Sequence, residues 1–353
     1  MDASKQARLK ELTQELAELL YEETAPEAVK SLEGIEKAVR GHWLEHIGPE
    51  IGPFFIRTSS GTTRGRQRAV ASIVGRLSIS EQQGQRLGLK AQTRWSPYLE
   101  KCCLLLSANE SYQHSADDLG VLTGVSVSKS TQQRLVHRQD FEPEIADCGI
   151  KEMSIDGGKV RLRTPKGEPS QWRDYKGVNL HQCSVAAFFR DREGLVEWVN
   201  QQPLASPLVC LGDGHDGIWN LFAQLDPQIQ RLEILDWYHL MENLGKVGGS
   251  QRRLDAVEAC LWQGDLEGAV KLFDDWPHER VDRFIAYLTK HRHRIVNYSY
   301  YQAEGISIGS GEIESTVKQI GRRVKISGAQ WHEDNVQQVL KHRCAYLNHQ
   351  FSD

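Results

Sequence analysis

Apolar residues recur at three- and four-residue spacing in the first part of the chain. Leu9, Leu12, Leu16 and Leu19 predict an amphipathic helix over residues 4 to 23. Two heptads are too few to specify a coiled coil, so the expected fate of this stripe is packing on the protein's own body. A second helical pattern follows Pro26, from Ala28 to His46, and ends at the Gly/Pro break IGPEIGP. RAVASIVGRLSIS, 68 to 80, reads as strand. SADDLGVLTGVSVSKSTQQRLV, 115 to 136, has helix-turn-helix form: Ala116, Leu119 and Leu122 mark the first helix, Gly124 the turn, and Ser128 can cap the second.

From residue 151 the period changes to alternating strand and helix. EMSID is a short strand ending in Asp156, the pair GG turns the chain into KVRLRT, and YKGVNLHQCSVAAFF is a third extended stretch. EGLVEWVNQQ is a helix, PLVCLGD a fourth strand ending in Asp213, GIWNLFAQL a helix that Asp216 can cap, and RLEILDW a fifth strand. Residues 242 to 300 read as all helix, carried by LDAVEACLW, DLEGAVKLFDDW and ERVDRFIAYLTKH. The 353 residues thus divide into a helical region 1–56, a basic strand-containing region 57–110, a helix-turn-helix region 111–148, an α/β core 149–241 and 301–353, and a helical insertion 242–300.

Ordinary hydrophobic and charged content places the chain among globular proteins. No apolar run approaches the roughly 20 residues of a membrane span, so no membrane association is expected. MDASKQARLKELTQEL lacks the apolar centre of a secretory signal, and the seven cysteines contain no CxxC pair. Reduced thiols in a cytoplasmic protein are therefore expected. The net charge of −4 is unevenly spread. From Arg57 to Lys101 nine basic residues face only Glu81 and Glu100, and Lys159/Arg161/Arg163/Lys166 and Lys318/Arg322/Arg323/Lys325 form further clusters. Such stripes suit phosphate, although a solvated basic face is the plainer account of any one of them. On the second helix of the helix-turn-helix, Lys129, Gln132, Gln133 and Arg134 suit base edges and phosphates; a helical hairpin without DNA contact is the alternative.

The order strand, strand, strand, helix, strand, helix, strand, helix is that of a ribonuclease-H-like mixed sheet flanked by helices. There the first and fourth strands lie side by side and parallel, so Asp156 and Asp213 should converge at one edge, where ligands of open α/β sheets gather. Two such carboxylates repel unless a cation neutralises them, and Mg²⁺ suits oxygen ligands. A third acid is expected in GSGEIESTVKQIGRRVK, whose buried stripe is Ile313, Val317, Ile320 and Val324. Glu312 and Glu314 flank that stripe on opposite sides, so periodicity does not choose between them.

MSIDGGKVRLRTP, CLGDGHDGIWN, ILDWYHLMENL, KHRHRIVNY and IGSGEIESTVKQIGRRVKISGAQW together resemble the DDE transposases of bacterial insertion sequences, in the Kra group. The resemblance covers nearly the whole chain and is strongest from residue 151. It implies that the third acid is Glu314, with Asp156 and Asp213 as the other two, holding two Mg²⁺ ions (or Mn²⁺). It further implies hydrolysis at transposon ends, strand transfer of the 3′-hydroxyl into target DNA, and at least a homodimer on the double-stranded DNA of the inverted-repeat ends and target. GRQRAVASIVGRLSISEQQGQRLGLK lacks the cysteine pair many members carry there, which removes the basis for a zinc-supported module.

Asp236 and His239 are candidates to stand behind the metals or orient water, or else a helix cap with its histidine. His291 and His293, among Lys290, Arg292 and Arg294, read as phosphate contacts. Trp331 reads as core or as a stacking platform, and Arg322, Arg323 and Lys325 as contacts to the reacting strand. A metal-dependent nuclease without strand transfer and a non-catalytic DNA-binding repressor are the alternatives. No Walker motif or GxSxG elbow is present.

Overall fold

The computed structural model describes residues 1–181, 183–326 and 328–351. The chain forms two compact units, 1–135 and 136–353. Among the described residues no helix is long and apolar enough to cross a membrane.

The first unit opens with α1 (Ala3–Glu22), capped by the Asp2 carboxylate on the Lys5 amide at 2.8 Å. A 3₁₀ turn at Pro26–Val29 leads to α2 (Leu32–His42), capped by Ser31. The Gly/Pro stretch that the sequence reads as a break is helical. A π turn at Trp43–Ile47 re-phases the chain, and α3 (Gly48–Ser60) starts with Pro49 in its first turn, where a missing N–H is harmless. The strand-like segment is a hairpin, β1 (Gln67–Ser72) against β2 (Gly75–Ser80). The helices α4 (Glu81–Arg86), α5 (Pro97–Ser107), α6 (Tyr112–Thr123) and α7 (Lys129–Arg138) follow. Leu99, Cys103, Leu119, Val127 and Leu135 form their core. Leu122, one of the residues that mark α6 in the sequence, is 67 % exposed, and α1 has no buried residue, so its leucine stripe does not pack into the body as expected.

The second unit is built on a five-stranded mixed sheet of β3 (Ile150–Leu162), β4 (Gln171–Leu180), β5 (Ser184–Phe188), β6 (Leu204–Gly212) and β7 (Arg231–Leu235), in the order β5-β4-β3-β6-β7. The pairs β3/β4 and β4/β5 are antiparallel; β3/β6 and β6/β7 are parallel. The sequence reading ends the first strand at Asp156, but β3 runs straight through Gly157 and Gly158, joining the two stretches read as separate strands. Gly158 is not a turn residue: a Cβ there would stand 2.1 Å from the Tyr175 ring, so glycine makes room for that ring. The third stretch divides into β4 and β5.

The helices α8 (Arg192–Asn200), α9 (Asp216–Phe222) and α10 (Trp237–Val247) are interleaved with the later strands. Then come α11 (Gln251–Trp262), α12 (Leu266–Lys271), α13 (Glu279–His291) and α14 (Tyr298–Ala303), with α15 (Gly311–Val324) and α16 (Glu333–Leu347) last. Boundaries drawn from the sequence at 56/57, 241/242 and 300/301 fall inside α3, α10 and α14. Alternation along β3 sends Met153 and Ile155 into the larger core, shared with the inserted helices. Val160 and Leu162 enter a second core with Ile320, Val324, Val339 and Leu340 from α15 and α16. Cys148 and Cys183 are joined in a disulfide, which corrects the expectation of seven reduced thiols; Cys102, Cys103, Cys210, Cys260 and Cys344 are free. Partners 35 residues apart are brought together by the sheet, with no local spacing to announce them.

Candidate active site

Parallel register aligns the two aspartates. Ser154 pairs with Leu211 at the end of the β3/β6 ladder, so Asp156 and Asp213 each lie two residues past a paired position, at one level of the sheet edge. The Asp156 carboxylate accepts the Gly157 amide at 2.5 Å, and Asp213 accepts that of His215 at 2.8 Å. Burial pushes the Asp156 carboxyl above its usual range; the Gly157 bond opposes this and the charge of Asp213 adds to it. The charges of Lys176 and His239 oppose the rise without cancelling it.

Leaving β7, Asp236 caps α10 through the His239 amide at 2.7 Å. Its other oxygen accepts both the amide and the hydroxyl of Ser310, the residue before α15. Burial would raise this carboxyl, but the bonds from His239 and Ser310 outweigh it and hold the group below its usual value. One buried carboxylate thus ties the starts of two helices together.

The His239 ring lies with Nδ1 3.3 Å from Asp236 and 3.9 Å from Glu314. The bond to Asp236 chiefly lifts its pKa to about 9; burial opposes, and the charges of Asp236, Asp213 and Glu314 add. A proton held on His239 would supply part of the counter-charge for these acids.

Helix α15 is seated on the sheet by Asn179, whose amide donates to Thr316 Oγ1 at 2.8 Å, and by the Tyr175 hydroxyl on the Val317 carbonyl at 3.4 Å. With Ile313 fully buried, Glu312 and Glu314 diverge. Glu314 turns toward His239, whereas Glu312 lies 3.6 Å from His181. Packing thus gives the two glutamates different neighbours.

Among the described residues, the set whose ligand atoms all lie within 4.8 Å of one another is Asp236, His239 and Glu314, not the expected Asp156, Asp213 and Glu314. Both Asp236 oxygens of that set already accept hydrogen bonds, whereas Asp156 and Asp213 each accept one backbone amide and Glu314 meets Lys318 at 3.4 Å. The donor chemistry and the excess of negative charge fit a hard divalent cation beside the three carboxylates. An ion held there would favour neutral imidazole at His239.

Several residues escaped the sequence reading. Glu152, on the same face of β3 as Asp156, accepts the Ser307 amide at 3.1 Å and hydroxyl at 2.5 Å and pairs with His181 at 3.2 Å. The other nitrogen of His181 meets Ser154 Oγ at 3.0 Å. The His181 bond, more than the Ser307 bonds, pulls Glu152 to about 2 against the effect of burial. Tyr287 of α13 is also beside the site: burial, then the charges of Asp213 and Asp236, push its hydroxyl up to about 12. No motif marks either residue.

Other expected contacts are rearranged. Lys129, Gln133 and Arg134 are exposed on α7, but Gln132 is fully buried and bonded to Ser115. Arg322 and Lys325 are exposed, while Arg323 is 1 % exposed with its guanidinium 4.9 Å from the centre of the Trp331 ring. Trp331 donates to the Val324 carbonyl at 2.9 Å and packs on the second core, not outward as a platform. His291 is buried, and burial, with the nearby Lys290 and Arg294 charges, lowers it to about 4; a neutral, enclosed ring does not contact phosphate. Lys290 pairs with Asp216 at 2.6 Å and Arg294 with Glu233 at 2.6 Å, so these cations answer local acids. His215, not Asp216, caps α9, its Nδ1 accepting the Gly217 amide at 3.0 Å. Comparison of the chain with protein-family models gives no match, and comparison with curated proteins gives none either.

Proposed function

We propose that the chain is a DNA transposase of the DDE class with a ribonuclease-H-like catalytic core. The observation that carries the reading is the convergence of Asp156 and Asp213, from adjacent parallel strands, with Glu314 brought toward the shared neighbour His239 by α15. The strand order, with the central pair parallel and two antiparallel strands on one side, is the one such a core requires. The resemblance of GSGEIES, CLGDGHD and MSIDGG to transposase motifs supports it further.

Asp156, Asp213 and Glu314 would hold Mg²⁺, or Mn²⁺, which supplies Lewis-acid charge at the attacking and leaving oxygens of an in-line phosphoryl transfer. Asp236 fixes His239 and the start of α15, so that Glu314 keeps its orientation. The exposed Arg322 and Lys325 follow the catalytic helix and would meet backbone phosphates, while Lys129, Gln133 and Arg134 of α7 would contact element ends. In the first reaction a water oxygen bonds to phosphorus and the bond to the 3′-oxygen breaks, leaving a 3′-hydroxyl and a 5′-phosphate. That hydroxyl then attacks a target phosphodiester and releases a target 3′-hydroxyl. Two element ends require at least two copies of the chain on DNA.

The test uses labelled DNA from either side of the reading frame, with and without Mg²⁺. Joined end–target products are expected. Cleavage without joining would make the chain a nuclease, and binding without cleavage a repressor; either result overturns the proposal.

A further inference from the structure

The first 55 residues carry a feature that the transposase reading does not use. Neither α1 nor α2 has a buried residue. From Leu9 to Ile51, ten large apolar side chains are 38–72 % exposed. Leu9, Leu12 and Leu16 of α1 and Ile35, Val39 and Trp43 from α2 and the π turn line one groove of about 800 Å³. The Thr24 hydroxyl, bonded to His42 Nε2 at 2.7 Å, ties the two helices together. A contiguous exposed apolar surface of this kind marks a place where another apolar surface can dock.

We infer that this groove is closed by α1 of a second copy of the same chain, the two α1 helices running antiparallel about a two-fold axis near Leu12 and Thr13. Charge along α1 selects this occupant. The first half carries Lys5, Arg8 and Lys10 against Asp2 and Glu11; the second carries Glu15, Glu18 and Glu22 with no cation. Antiparallel pairing sets Leu9 over Leu16 of the other copy, Lys10 beside Glu15, and Arg8 and Lys5 beside Glu18 and Glu22. Parallel pairing would oppose like charges. An anionic lipid surface would repel the acidic half, which argues against a membrane as the cover. The pairs Lys5–Asp2 and Arg8–Glu11 within α1 are solvent-exposed and leave both cations able to reach a partner. Pairing two such hairpins makes a four-helix arrangement whose stripes face inward.

Sedimentation velocity on the full chain without DNA tests this apart from any transposase activity, so either proposal can fail alone. Wild type is expected to be dimeric at micromolar concentration. Leu12→Glu with Leu16→Glu should raise the dissociation constant at least a hundredfold with unchanged circular dichroism. A variant with Lys5→Glu, Arg8→Glu and Lys10→Glu, and another with Glu15→Lys, Glu18→Lys and Glu22→Lys, should each weaken self-association tenfold or more. Mixing these two should restore a dimer. A monomeric wild type, a dimer indifferent to the leucine changes, charge variants without mutual rescue, or association only with anionic vesicles would each overturn the inference.

Discussion

Glu152 and Asp156 stand four residues apart on the same face of one strand, and their surroundings drive them in opposite directions. Glu152 meets His181 and both donors of Ser307, which take its carboxyl down to about 2. Asp156 has a single short amide bond, burial and the charge of Asp213, and its carboxyl rises. A saturated carboxylate is structural: its lone pairs are committed and it fixes the segment before α15. An undersupplied one, opposed only by the more distant charges of Lys176 and His239, is the candidate for a ligand. The comparison separates two acids that the sequence EMSID presents without distinction.

The largest effect that would sharpen this contrast is chemical. Asp156→Asn, Asp213→Asn or Glu314→Gln is expected to lower end cleavage at least about a thousandfold, on the order of 4 kcal/mol of transition-state stabilisation. The thermal midpoint should stay level or rise, because each change removes crowded charge. A marked fall in midpoint would place that residue with Glu152 instead. Next in size, Glu152→Gln should cost about 1–3 kcal/mol of stability in urea unfolding, since it strips a hydrogen-bonded charge from partly buried partners. The folded variant should still cleave.

The pH dependence follows with opposite signs. Glu152 has its folded value depressed from 4.5 to about 2, so its contribution is complete above about 4.5 and fades as pH falls toward about 2. Stability measured across that window should slope in wild type and flatten in Glu152→Gln. Asp156 is raised, so its ionisation costs stability once pH exceeds its unfolded value, and Asp156→Asn should be more stable at neutral pH than in acid, relative to wild type. The smallest effect belongs to Glu312, half-exposed beside His181: Glu312→Gln should move stability by no more than about 0.5 kcal/mol and leave cleavage nearly unchanged. An effect as large as that of Glu314→Gln would reverse their assignment.

Local patterns carried much of the fold. Alternation and strand-to-helix switching found the extended stretches of the sheet but divided β3, β4 and β5 wrongly, and the stripe Ile313, Val317, Ile320, Val324 located α15 with its buried face. Reading failed where a residue's role depends on something distant in the chain. Gly157 and Gly158 looked like a turn because the Tyr175 ring that requires Gly158 lies on the next strand. Gln132, His291 and Arg323 looked like exposed polar contacts, yet each is enclosed, by Ser115, by α13's surroundings and by Trp331. Leu9, Leu12, Leu16 and Leu19 announced an apolar face correctly but not what would cover it. For the site, Asp156 and Asp213 follow from strand order, whereas separating Glu314 from Glu312 needed the positions of His239 and His181.

The central claim is that Asp156, Asp213 and Glu314 gather to hold a divalent cation. Calorimetric titration of Mn²⁺ into the full chain tests it most directly, comparing wild type with Asp213→Asn, Glu314→Gln and Glu312→Gln. Wild type and Glu312→Gln should bind alike, and the other two at least tenfold more weakly. Equal affinity in all four proteins, or no binding by wild type, would contradict the account.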